Sequence, residues 1–237
     1  MEKKASRVLG STLIGLLALG VSGEAVAIGE QSQKIIVDST KLLDRFLEPD
    51  DMPLTSYRAL RRLTASKRGG RMQAVLEAWT SLDPVHGFQF QIVREEGSAL
   101  IRHKVLLAAL EAEQKAARGP DGTEAALTRA NYEFLGVSED DELLRVQVRP
   151  HRRHYMRVDG SLLLEPDSAD LVRVEGDLSQ RPSLWTRRVH IQRDYGRING
   201  VHVPLSMSSK ADVRVVGAST FSMTYSYVEI NGRPVTQ

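Results

Sequence analysis

The segment 181–204, RPSLWTRRVHIQRDYGRINGVHVP, gathers two histidines, five arginines, an aspartate, a tryptophan and a tyrosine. Imidazole and carboxylate can hold a metal or move a proton, and clustered guanidiniums can hold a phosphate. A second set, His151 and His154, stands at i, i+3. On a strand that spacing sends the two rings to opposite faces, so only a bend after Pro150 would let them share one ion. Carboxylates cluster at Glu95-Glu96 and at Asp140-Asp141-Glu142. General acid–base work needs carboxyl groups in different environments at a defined separation, and adjacency in loops supplies neither. Gly217-Ala218-Ser219 lacks the second glycine of a nucleophile elbow. There is no phosphate-binding glycine loop and no H-E-x-x-H. With no cysteine in the chain, disulfides, thiol catalysis and cysteine-ligated metals are excluded. The expectation is a protein that is not an enzyme, with no catalytic residue, no metal and no cofactor. A pocket in which His151, His154 or His190 met a carboxylate would reopen the catalytic reading.

The arginine pairs Arg61-Arg62, Arg152-Arg153 and Arg187-Arg188 are expected on the wet face of a sheet. A net charge of +2 and an aromatic content of 5% do not make the basic, ring-lined groove that nucleic acid requires. No nucleic-acid partner is expected.

Residues 1–27 have the pattern of a secretory signal peptide. Glu2, Lys3, Lys4 and Arg7 form a charged head of net positive sign, an apolar run covers Val8 to Val21, and Ala25-Val26-Ala27 supplies the small-x-small cleavage pattern. Cleavage is expected after Ala27. The apolar run is shorter than the roughly 20 residues a membrane span needs, and no other run is longer, so no integral span is expected after cleavage. The expected location is the periplasm. Residues 28–237 then form a single domain, long enough to bury a substantial core without disulfides.

The elements that must position any site are mostly strands. Ser32 to Leu47 has helical spacing, with Pro49 after its end. Ser56 to Lys67 and Arg71 to Thr80 flank a Gly69-Gly70 turn. The second of these strands places Met72, Ala74, Leu76 and Ala78 on one side. Phe88 to Arg94 alternates as a strand. Ser98 to Arg118 is the clearest helix, with Ser98 as its cap and Gly119-Pro120 at its end. A short helical turn is expected at Thr123 to Leu127. Strands follow at Tyr132–Val137, Glu142–Arg149, Arg153–Val158, Ser161–Glu165, Ala169–Leu178, Leu184–Arg193, Arg197–Val203, Lys210–Val216 and Ser219–Ile230. Asp159-Gly160 is expected to be a tight hairpin turn. The absence of βαβ alternation makes the sheet antiparallel. The class is mainly β, with about eleven strands and two covering helices.

Two strands show where an apolar site would lie. Leu144, Val146 and Val148 share one face of their strand, against Arg145, Gln147 and Arg149. In the last strand Phe221, Met223, Tyr225 and Tyr227 point one way and small hydroxyls the other, as in a strand facing a wide apolar space or an ordinary core. The 181–204 segment is expected to be a hairpin. Its turn falls at Asp194-Tyr195-Gly196, and Asn199-Gly200 makes a bulge in the second strand. Val189 and Ile191 then lie on a dry face and His190 on a wet one.

The chain resembles the LolA/LolB-like family of outer-membrane lipoprotein-sorting proteins. The resemblance is carried by SYRALRRLTAS at 56–66, by FQFQIVREEGSALIRHKVLLAALEAEQKA at 88–116, and by the stretch 155–230. Its most specific part is the run G-x-L-x-L-x-P-x-x-x-x-L-x-R-x-E-G from Gly160 to Gly176. It implies an incomplete antiparallel β-barrel with helices over an apolar concavity, and a non-catalytic carrier or sensor that shields lipoprotein acyl chains or another hydrophobic ligand. Exposing an acyl chain to water costs about 0.8 kcal/mol per methylene, so a dry concave face is enough for the task. The ligand-binding candidates are Met72, Leu76, Leu144, Val146, Val148, Phe221, Met223, Tyr225 and Tyr227. The lid arginine of the family has no assignable counterpart. An envelope module that uses the fold as a scaffold for a transient protein partner, without a lipid, is the alternative.

Overall fold

The computed structural model describes residues 40–48, 52–67, 69–117, 126–181, 186–213 and 217–236. These lie in one compact unit, Ser39–Gln237. The expected signal peptide, the first half of the N-terminal helix, the helix end at Gly119-Pro120 and Trp185 fall outside them.

Three strands come first: β1 (Tyr57–Lys67), β2 (Met72–Asp83) and β3 (Gly87–Gly97). Residues 40–47 precede them as a helix, α1. A second helix follows β3, with α-helical turns at Ala99–Ile101, π-helical turns at Arg102–Leu107 and α-helical turns again at Ala108–Ala116. The three stretches are continuous and together make α2. Ser98 occupies the cap position of α2, but its hydroxyl makes no capping hydrogen bond. The meander then runs through β4 (Tyr132–Asp140), β5 (Leu143–Pro150), β6 (Val158–Leu164), β7 (Leu171–Leu178), β8 (Thr186–Ile198), β9 (Val201–Val213) and β10 (Gly217–Ile230), with a two-residue β11 (Arg233–Pro234). Of the helical turn expected at Thr123 to Leu127, residues 123–125 lie outside the described residues, and Ala126 and Leu127 are not helical.

All pairings are antiparallel, in the order β3-β2-β1-β10-β9-β8-β7-β6-β5-β4, with β11 beside β10. The last long strand returns to pair with the first, while β3 and β4 end the sheet without meeting. The result is the incomplete antiparallel barrel expected. No helix among the described residues is long and apolar enough to cross a membrane.

Three local expectations are corrected. Asp159-Gly160 is no turn, because both residues lie inside β6. Gly160 sits opposite Gly176 of β7, where a Cβ would stand 2.2 Å from the Glu175 carbonyl oxygen. The glycine serves a close backbone approach, which in sequence looks the same as a turn. Asp194-Tyr195-Gly196 is no turn either, for β8 runs straight through it. The turn is Asn199-Gly200, both at positive φ (53° and 82°) between the paired residues Ile198 and Val201. This is the two-residue loop that Asn-Gly favours. The stretches 197–203 and 210–216, expected as separate strands, are divided differently: residues 201–213 form one long β9.

The apolar residues gather in two cores. The first holds Ala59, Leu63, Leu76, Ala78, Met223 and Tyr227 of the sheet beneath Ile101, Leu106 and Leu110 of α2. The second holds Val146, Val148, Leu162, Leu164, Leu171 and Ile191, with Leu42, Leu43 and Phe46 of α1 packed against them. Each helix therefore presents its apolar stripe to a different stretch of the sheet.

Candidate functional site

Along β1 the inward residues are Tyr57, Ala59, Arg61, Leu63 and Ala65, and all five are buried. Arg61, at 1% exposure, is the charged member of an otherwise apolar row. Period-two alternation leaves it no other direction to point, while its neighbour Arg62 faces outward to an ion pair with Glu77. The expectation that both arginines decorate a wet face is therefore corrected for Arg61. Its position between Ala59 and Leu63 in the alternation was the signal.

Arg61 is held through its Nη atoms, while its Nε, buried too, has no hydrogen-bond partner among the described residues. Its guanidinium donates to both carboxylate oxygens of Glu113 on α2, at 2.5 and 2.9 Å, and to the Tyr57 hydroxyl. It lies 4.5 Å over the centroid of the Tyr225 ring and 5.0 Å over that of Phe88. Such stacking suits a delocalised, weakly hydrated cation. Burial alone would pull its pKa down, but the hydrogen bonds it donates to Glu113 and the surrounding groups outweigh that, and the net shift is upward. Burial pushes the phenols of Tyr57, Tyr225 and Tyr227 above their ordinary range, so they are neutral hydrogen-bonding groups at physiological pH. Tyr227 donates to the Pro204 carbonyl oxygen at 2.8 Å, and its ring meets Tyr57 edge-on at 5.7 Å.

Beside this cluster lies a cavity of about 520 Å³. One wall is the last turns of α2, with Ala109, Ala112, Glu113 and Ala116. The floor is Phe221, Met223, Tyr225 and Tyr227 of β10 with Met207 of β9, and Tyr155 and Met156 close the far side. Small alanines on the helix leave the space, and large side chains on the strands line it. A cavity of this size with a few convergent polar groups has the properties of a small-ligand site.

A second guanidinium, that of the half-buried Arg193 on β8, lines the same cavity. It shares the inward face of its strand with Ile191 and Val189, two and four residues back. Its Nη2 contacts the Met207 sulfur at 3.6 Å, and its Nε is sealed from solvent without a hydrogen-bond partner. Burial opposes its charge; the neighbouring phenol of Tyr195 counters this, and the net shift is upward.

The nine sequence-predicted residues divide between three places. Phe221, Met223, Tyr225 and Tyr227 line the cavity. Leu76 is buried in the first core, and Met72 packs against it. Val146 and Val148 are buried in the second core, with Leu144 packed against it. Arg61, Glu113 and Arg193 were not among the nine.

The histidines and loop carboxylates have ordinary partners. His151 Nε2 lies 3.1 Å from the Arg129 carbonyl oxygen, and the ring of His154 packs at a tilt against Tyr155, centroids 4.4 Å apart. His190 is exposed, 3.3 Å from Asp177, a carboxylate that also takes Arg188. His202 meets the Leu171 carbonyl oxygen at 2.6 Å. Glu95 pairs with Arg102 and Asp140 with Arg145. Among the described residues no group of three or more histidine or carboxylate side chains is placed to hold a metal.

No protein-family model matches the chain, and no curated protein matches it in sequence. Among solved structures it is similar to a LolA superfamily protein from Nitrosomonas europaea, at 10% identity and a TM-score of 0.42, over 79% of this chain and 91% of that one. It is also similar to the complex of MucA and MucB from Pseudomonas aeruginosa, at 9% identity and a TM-score of 0.22, over 80% of this chain and 94% of that one.

Proposed function

We propose that the protein is a periplasmic, non-catalytic binding protein that holds the apolar part of an amphiphile, such as an acyl chain, between α2 and the inner face of the sheet. The observation that carries this reading is the cavity itself. It is walled by alanines and floored by large apolar and aromatic side chains, and it lies beside a first core that is otherwise well packed. The N-terminal pattern of residues 1–27 supports the location. The second core, where Val146 and Leu162 are at 0% exposure, is filled by the protein's own side chains. The ligand is therefore confined to the α2 side and does not spread over the whole concave face.

The test is lipid content and uptake. The full chain, exported and purified, is expected to carry lipid detectable by mass spectrometry. After delipidation it is expected to take up the neutral apolar fluorophore N-phenyl-1-naphthylamine with a fluorescence increase. If the protein carries no lipid and the delipidated protein takes up no fluorophore, the cavity is not a lipid site. The scaffold reading, with a protein partner in the envelope, would then replace it.

A further inference from the structure

The charges around the cavity do not balance. Two guanidiniums, Arg61 and Arg193, line it together with one carboxylate, Glu113. Glu113 spends both oxygens on Arg61. Arg193 makes no ion pair among the described residues; its neighbours are the Met207 sulfur and the phenol groups of Tyr195 and Tyr225, and the Glu113 charge reaches it from beyond ion-pair distance. A half-buried cation with no carboxylate of its own is costly for a fold to keep. An apolar residue of similar size would fill the same space without that cost. Asp194, next in sequence, offers no relief: alternation turns it to the other face, where Arg173, Gln192 and Ser206 hold it.

The arrangement has a direction. The Tyr225 ring carries Arg61 over one face and contributes to the electrostatics of Arg193, so the two guanidiniums border one aromatic floor. Next to them the lining becomes apolar, through Met223 and Phe221 on the strand and Ala109 and Ala112 on the helix. One part of the cavity is thus cationic and rich in donors, and the rest is apolar.

We propose that the ligand is an anionic amphiphile, whose carboxylate or phosphate head pairs with Arg193 beside Arg61 and whose chain lies along Met223 and Phe221. This rests on the reading of the cavity as a lipid site and narrows it to a head-group chemistry. Arg193 supplies the counter-charge for the head. The Arg61–Glu113 pair, already neutral, positions the α2 wall.

The experiment is displacement of N-phenyl-1-naphthylamine from the delipidated full chain by three ligands of equal chain length below their micelle concentrations: palmitate, hexadecyl phosphate and hexadecanol. At least one anion is expected to displace the probe about tenfold or more tightly than the alcohol, the size of a hydrogen-bonded charge contact. The anion that does so identifies the head as carboxylate or phosphate. Arg193→Gln is expected to abolish the preference, so that anion and alcohol displace the probe equally, and Arg193→Lys to retain part of it. Equal displacement by all three in the wild-type protein overturns the anionic head and leaves the apolar site standing. Failure of the probe to bind overturns both. The wild-type series needs no variant to fold. An anion preference that persists unchanged in a folded Arg193→Gln protein overturns the assignment to Arg193.

Discussion

The guanidinium of Arg61 on β1 and the carboxylate of Glu113 on α2 meet through two hydrogen bonds across 52 positions of sequence. They tie the helix that walls the cavity to the strand beneath it. The pair is asymmetric: the Arg61 side chain is 2% exposed and that of Glu113 is 39% exposed. Removing the carboxylate leaves a sealed charge, whereas removing both partners leaves an apolar space.

Glu113→Ala is therefore expected to lower stability by about 2 kcal/mol, discounted from the usual cost of orphaning a buried charge because Glu113 reaches solvent. The double replacement Arg61→Met with Glu113→Leu is expected to recover more than half of that loss. Urea midpoints of the wild type, the single and the double variant decide it. A double variant no more stable than Glu113→Ala would show that the pair does not carry this cost.

Gly160→Ala should be among the most damaging small changes in the sheet. Its Cβ would meet the Glu175 carbonyl oxygen at 2.2 Å and the Gly176 Cα at 2.6 Å, and both are backbone atoms of a paired strand. A loss of about 3 kcal/mol or more is expected. Gly136→Ala is the control, with nothing within 4 Å of its added Cβ, and should shift stability by less than about 0.5 kcal/mol. Thermal unfolding of the two variants is the comparison, and similar melting temperatures would refute the close-approach account.

Acid should unfold the protein through a few identifiable carboxylates. The hydrogen bond from Arg197 holds Asp170 below the usual carboxylate range, and that from Arg188 does the same for Asp177. For Asp194 burial pushes upward, but Ser206, Arg173 and Gln192 together bring the net shift down. A folded pKa below the unfolded one contributes stability above the unfolded value, near 4, and loses it as pH falls through the folded value. Urea midpoints are expected to be little changed by these groups from neutral pH to about 4, and then to drop. Asp170→Asn should make the drop shallower. An acid limb of unchanged slope in that variant would remove Asp170 from the set.

Ala116→Trp places a large ring on the α2 wall of the cavity. It is expected to weaken N-phenyl-1-naphthylamine uptake by about tenfold or more while moving the melting temperature by no more than about 2 °C, since Ala116 is only partly buried. Undiminished uptake would place the probe elsewhere on the protein.

Features with a short period could be read from the sequence alone. Alternation in β10 separates Phe221, Met223, Tyr225 and Tyr227 from the small hydroxyls. Helical spacing marks α2, and the succession of strands without βαβ units makes the sheet antiparallel. Each depends only on residues a few positions apart. Asp159-Gly160 and Asn199-Gly200 both turn out otherwise than the local sequence suggests. Glycine serves both a reversing backbone and a close approach between strands, and only the partner strand tells them apart. For the first pair that partner is Gly176; for the second, the Ile198–Val201 pairing reveals a hairpin turn.

What only the tertiary structure decided is the set of companions around the inward charges. Strand parity is enough to turn Arg61 and Arg193 toward the interior. It cannot say that α2 brings Glu113 to Arg61, that among the described residues no carboxylate pairs with Arg193, or that helix alanines leave a cavity beside both. Those facts depend on a sheet order that joins the last long strand to the first and lays a helix from the middle of the chain across them. Electrostatic and packing energies fall off with distance in space and not in sequence. The direction of each side chain was therefore legible in the local pattern, while its neighbours were settled only when the half-barrel assembled.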